Sequence, residues 1–102
     1  MAEGGRDDDG SMRIDLFLWY ARLARSRSTA AALTRSGTIR LDGRRIDRAH
    51  APVRVGCVLA FVRGDAVRVL RVARLPTRRG PAAEAASLYI DLSPVDGSAA
   101  GQ

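Results

Sequence analysis

The chain has 102 residues and a formal net charge of +6, with 17 basic residues, all of them arginine, against 11 acids. That length supports one modest core and leaves no room for a second domain with its own chemistry. A single cysteine excludes an internal disulfide, one histidine and one cysteine are too few for an ordinary zinc site, and the longest apolar run, 55–62, falls far short of the ~20 residues of a membrane helix.

Residues 1–11 are glycine, serine and acid, including Asp7, Asp8 and Asp9, and are expected to form a disordered tail; residues 93–102 read the same way. Between them, 12–75 reads as one domain and 76–92 as a C-terminal extension. Residues 13–75 hold 14 arginines and four aspartates, a net of +10, so the folding part is more basic than the whole. The N-terminal tail, at a net −3, reads as solubilising.

Residues 13–24 read as a helix. At helical spacing Ile14, Leu16, Phe17, Leu18, Tyr20, Ala21 and Leu23 cover most of its circumference, and only Asp15 and Arg22 share a polar sector. Burial on several sides is therefore expected. Ser26 suits the cap of a second helix over 27–36, which Gly37 would close in the left-handed conformation. On it Arg27, Ala31 and Arg35 share a face, while Ala30 and Leu33 point inward.

Beyond Gly37 the period becomes two. Ile39 and Leu41 alternate with Thr38 and Arg40, Asp42-Gly43 favours a two-residue hairpin turn, and a second strand follows at 44–46. Residues 47–52 read as a loop, after which Val53 and Val55 alternate about Arg54. A second hairpin is expected from 58–62, a turn at Gly64-Asp65, and 66–75; the uneven spacing of Arg68, Arg71 and Arg74 points to a bulge. Residues 81–88 read as a short alanine-rich helix with Pro81 in its first turn.

Catalysis finds little material here. His50 and Cys57 are single and lysine is absent, so the expectation is no enzyme, no cofactor and no metal site. Cys57 lies in an apolar strand context and is expected to be buried and inert, and His50 to sit in a loop. Arg63-Gly64-Asp65 reads as a hairpin turn. With no leader-like start, the expected compartment is the cytoplasm.

The stronger signal is a local cluster. Arg22, Arg25 and Arg27 surround the junction of the two helices, Arg35 extends it, and Arg40, Arg44, Arg45 and Arg48 lie on the hairpin that follows. The free N–H groups at the start of the second helix would add a phosphate seat between Arg25 and Arg27. The charge argument says polyanion and does not choose RNA over DNA.

Arg13-Ile14-Asp15-Leu16-Phe17-Leu18-Trp19, then Arg22, Arg25-Ser26-Arg27, Gly37 and Ile39-Arg40-Leu41-Asp42-Gly43 resemble the RNA-binding domain named after small-subunit ribosomal protein four. That resemblance implies an α+β fold, the alpha-L RNA-binding motif, with two N-terminal helices packed on a small antiparallel sheet and here a short C-terminal helix. The ending from Arg78-Arg79-Gly80-Pro81 to Leu88-Tyr89 resembles the heat shock protein 15 family, stand-alone ribosome-associated proteins, and the likeness covers about residues 13–90. It implies RNA-facing roles for Arg13, Arg22, Arg25, Arg27, Arg44 and Arg48, with Ser26 at the helix start. Trp19, beside the apolar arc, reads as core and not as a base-stacking platform. Leu16 stands where the family has lysine, Asp42 where it has asparagine, Cys57 where it has aspartate, and Arg48-Ala49-His50 where it has Lys-Pro-Ser.

The function so implied is binding of large-subunit ribosomal RNA, on stalled or dissociated subunits that still hold a nascent chain on tRNA, in a heat-shock or ribosome-rescue setting and as a monomer. Two other readings are an adaptor whose basic face meets an acidic protein, with Leu16 in an apolar contact patch, and a general structured-RNA or tRNA binder not tied to the ribosome. An RNA-modifying enzyme is the weakest reading, because the chain lacks the length for a catalytic part.

Overall fold

The first buried side chains come from a strand that the sequence reading placed partly in the tail. In the computed structural model, which describes residues 10–63 and 65–93, β1 (Ser11–Arg13) pairs antiparallel with β4 (Pro52–Arg54), and Ser11 and Met12 are buried. The expected tails at 1–9 and 94–102, and Gly64 of the expected turn, lie outside the described residues.

Helix α1 (Ile14–Tyr20) follows directly, and its first N–H groups are satisfied by the 49–51 loop: Ile14 N donates to Ala51 O at 2.9 Å and Asp15 N to Ala49 O at 3.1 Å. The helix is shorter than the expected 13–24. Arg22 takes a left-handed φ of +60°, its N–H returns to Trp19 O, and Leu23 N returns to Leu18 O at 2.9 Å, which together make a Schellman cap. Leu23 and Ala24 are buried, so the apolar pattern continues through a turn.

Helix α2 (Arg27–Arg35) starts where expected, with Ser26 Oγ accepting from Thr29 N at 3.0 Å. Gly37 leaves it at φ +80°, and Ala30 is fully buried against α1 while Leu33 is half-buried. The hairpin of β2 (Ile39–Leu41) and β3 (Arg44–Ile46) turns on Asp42 and Gly43, both at positive φ (+53° and +84°), as a type I′ turn requires. Asp42 Oδ1 also accepts from Val58 N at 2.9 Å, so aspartate serves this turn while anchoring the next strand.

Strands β5 (Val58–Arg63) and β6 (Ala66–Val72) pair without interruption from Val58 opposite Arg71 to Arg63 opposite Ala66, and the anticipated bulge is absent from this ladder. The arginine spacing has a simpler origin: Arg68 and Arg71 lie on opposite faces, and β6 ends before Arg74. Val55, expected to alternate with Val53, lies in a turn after β4 and is exposed. Beyond α3 (Ala82–Ala86) the chain adds a strand absent from the sequence reading, β7 (Tyr89–Asp91), on the edge of β6. Ser93, assigned to the C-terminal tail, accepts from Val69 N at 2.9 Å.

The result is a five-stranded antiparallel sheet in the order β3-β2-β5-β6-β7 beside the β1-β4 pair. One sheet face carries Ile39, Leu59, Phe61, Leu70 and Val72, which join Phe17, Leu18, Ala30, Ala85 and Leu88 in a single core. The other face exposes Val62, Val67 and Ile90. This is the expected α+β architecture, with more sheet than the sequence announced. Among the described residues no helix is long and apolar enough to cross a membrane.

Candidate nucleic-acid interface

The turn that ends α1 and the cap that starts α2 hold three arginines within six residues. Arg22, Arg25 and Arg27 are all exposed. Their side chains nonetheless differ in commitment. Arg22 Nε donates to Gly80 O at 2.7 Å, leaving the outer guanidinium nitrogens open to solvent. Arg27 places its guanidinium 5.7 Å from the centre of the Trp19 ring. Arg25 has no hydrogen bond or ion pair among the described residues, so its charge is fully available to a ligand.

Arg79, which the sequence reading did not select, joins them from the C-terminal extension. Its guanidinium lies 5.6 Å from the Trp19 ring centre, and its Nε donates to Trp19 O at 3.1 Å. Trp19 is half-buried at the margin of the core, as expected, but its ring also positions two cations. The only signal available in the sequence was the Arg78-Arg79 pair itself, 60 residues from the tryptophan it meets.

Between this turn and the end of β5 lies an open cleft of about 480 Å³. Among the described residues Arg22, Arg25 and Arg79 form its charged lining and Leu23, Leu33 and Phe61 its apolar lining, with Val62 at its rim, and no carboxylate takes part. Arg44 and Arg48 line a second cleft of about 500 Å³ with Arg54, near Asp42 and Cys57.

The remaining expected site residues separate. Arg13 makes a two-pronged ion pair with the buried Asp15, Nε to Oδ1 at 2.9 Å and Nη2 to Oδ2 at 2.7 Å, and this bond holds the guanidinium proton more firmly than usual. Asp15, expected in a polar sector beside Arg22, is instead buried and also accepts from Leu16 N. Arg13 therefore acts in part as the counter-ion of a buried acid. Ser26 is occupied by its capping bond and by the hydroxyl groups of Ser28 and Thr29. Arg35 lies at the far end of α2, about 12 Å along the axis from Arg27.

The hairpin arginines divide by face. Arg44 pairs across the ladder with Leu41, on the side of the buried Ile39, whereas Arg40 pairs with Arg45 on the opposite side. The eight clustered arginines of the sequence reading are thus not one surface: Arg40 and Arg45 face away from the helix pair. Strict alternation is the reason, because neighbouring strand residues cannot share a face.

Leu16, which an adaptor reading needs in an exposed patch, is only 9% exposed and packs in the core. Cys57 is half-buried, less than expected; burial pushes its thiol up, while Sγ accepts from Arg54 N. His50 is exposed in the 47–51 loop.

Residues 12–59 match the S4 domain. Over 78 residues, 76% of the chain, it is 32% identical to a heat shock protein 15 homolog of Haemophilus influenzae and 31% identical to heat shock protein 15 of Escherichia coli. The chain spans 59% and 58% of the length of these relatives. The solved trimeric structure of Vibrio cholerae heat shock protein 15 superposes with a TM-score of 0.74 at 26% identity, covering 79% of this chain and 81% of that one. Residues 12–59 thus match an S4 domain, and the chain shares the fold of the solved heat shock protein 15.

Proposed function

We propose that this chain binds structured RNA through phosphate contacts made by Arg22, Arg25, Arg27 and Arg79, with Arg44 and Arg48 as a second group. The observation that carries the proposal is the gathering of guanidinium groups at the α1–α2 junction, three of them around one cleft and two against one tryptophan, with no acid beside them among the described residues. The start of α2 adds backbone N–H groups suited to a phosphate. Arginine forks engage phosphate oxygens in pairs, and folded RNA is read largely by shape and backbone. This reading assigns the chain no catalytic step.

A narrower version of the proposal is that the RNA is that of the large ribosomal subunit, engaged when subunits are stalled or dissociated, with a nascent chain still on tRNA. Sedimentation of cell extract tests it. Co-migration with large subunits that is lost on ribonuclease treatment supports the proposal, and a chain that stays at the top of the gradient in stressed and unstressed cells overturns the ribosomal part. The monomer expected from the sequence is part of the same proposal. A sedimenting species of one chain's mass supports it, and one three times heavier would align the chain with the trimeric Vibrio cholerae relative.

A further inference from the structure

We infer that the cleft between the α1–α2 turn and β5 receives one unstacked nucleotide of the bound RNA, its base against the apolar lining and its phosphate on Arg25 and Arg79. The inference rests on the RNA-binding reading above and adds what that reading lacks, a place where a base is held.

A surface that only follows phosphates needs no apolar wall. Here the three arginines stand around a hollow whose apolar lining is Leu23, Leu33 and Phe61, with Leu33 half-buried and open to it. Covering that surface with a flat, weakly hydrated base is favourable, whereas leaving it open to water is not. The volume of about 480 Å³ lies in the range of clefts that enclose small organic groups. The neighbouring hollows are chemically different: the one at Arg74 and Leu75 includes Glu84, and the one at Arg44 and Arg48 includes Asp42, each a carboxylate that repels a phosphate. Of these three, as lined by the described residues, the cleft at Arg25 alone combines several guanidiniums with apolar lining and no acid.

Geometry favours a nucleotide over a bare anion. Arg79 is held by Trp19 on one side and lines the cleft on the other, so its guanidinium plane is fixed. A fixed plane offers both a donor fork and a stacking surface. Thr29, also on the lining, supplies a hydroxyl near a base edge or a ribose. RNA presents such splayed-out nucleotides at bulges and loops, where bases are free of their stack.

The test compares binding of the full chain, by fluorescence anisotropy, to two labelled RNA hairpins that differ at one position: a single bulged adenosine, or an abasic sugar at the same bulge. Both keep the same phosphates. The expected result is a preference of about tenfold or more for the base-bearing bulge, which Leu33→Ser reduces to near unity with unchanged circular dichroism. Equal affinity for both hairpins overturns the nucleotide cleft while leaving RNA binding intact, and so does a preference that survives Leu33→Ser. Failure to bind either hairpin at low salt overturns the inference and the RNA reading together. Displacement from the cleft by an acidic, leucine-bearing peptide at the affinity of the bulged RNA would also overturn it.

Discussion

Replacing Arg25 and Arg27 together with alanine separates binding from folding, because the structure assigns them little of the latter. Arg25 has no partner among the described residues, and Arg27 contributes one exposed cation–π contact at 5.7 Å, about 0.5–1 kcal/mol. The stability loss is therefore at most about 1 kcal/mol, a fall in Tm of about 4–8 °C or less for a domain of this size. The RNA effect is larger. Each phosphate contact contributes about 0.7–0.9 to the slope of log affinity against log salt, so two lost contacts lower it by about 1.4–1.8. At about 0.1 M salt the same exponents give a loss of roughly 25- to 60-fold. Anisotropy titrations of a structured RNA across a salt series, beside thermal unfolding of both proteins, provide the two readouts. An unchanged salt slope in a folded double variant would refute the assignment of this turn as the RNA site.

Arg13→Ala should act in the opposite sense, removing the partner of the buried Asp15 and costing about 1–3 kcal/mol in urea unfolding, against almost nothing for Arg25→Ala. Arg40→Ser with Arg45→Ser, on the face away from the helices, should leave RNA affinity within about twofold, since charges beyond the screening length contribute little; a loss as large as that of the Arg25 and Arg27 double variant would place the RNA on that face. Asp91 concerns pH: the Ser93 N–H, then the Ser93 hydroxyl, with Arg68 as a lesser contributor, hold its carboxyl below the usual aspartate range. A depressed folded value means its stabilisation is present above the unfolded value of about 3.9 and is lost as pH falls through the folded value. Amide protection factors in the β6–β7 ladder, corrected for the intrinsic pH dependence of exchange, should fall below about pH 4 in the native chain, and Asp91→Asn should be less pH-sensitive there.

What the sequence makes legible is what local chemistry decides. Ser26 before Arg27, Gly37 after the helix, and Asp42-Gly43 between alternating residues each fix a boundary by a backbone requirement, and the structure has all three. The end of α1 was hidden for the converse reason. Its stop is an arginine in the left-handed region, and the buried Leu23 and Ala24 continue the apolar pattern as if the helix went on. Strands β1 and β7 were illegible for a different reason: neither is set off by a two-residue turn as β2 and β3 are by Asp42-Gly43, and pairings such as Met12 with Val53 exist only once distant chain meets. The site followed the same rule. Charge spacing located the arginines of the α1–α2 junction, overcounted the hairpin by ignoring which face each residue takes, and had no means to bring in Arg79.

Arg22 links these observations. Glycine would adopt its conformation without strain, whereas a side chain in the left-handed region costs about 1–2 kcal/mol. The bond from Arg22 Nε to Gly80 O offsets part of that cost and fastens the C-terminal extension to the α1–α2 turn, one residue from Arg79. Arg79 in turn is held by Trp19, the second-last residue of α1. The extension is thus built into the proposed site and lies outside the residues 12–59 that match the S4 domain. A domain cut at that boundary would keep Arg25 and Arg27 but lose one wall of the cleft and the carbonyl that anchors Arg22. The proposed site is accordingly a property of the domain and its extension together, with the strained arginine as the joint between them.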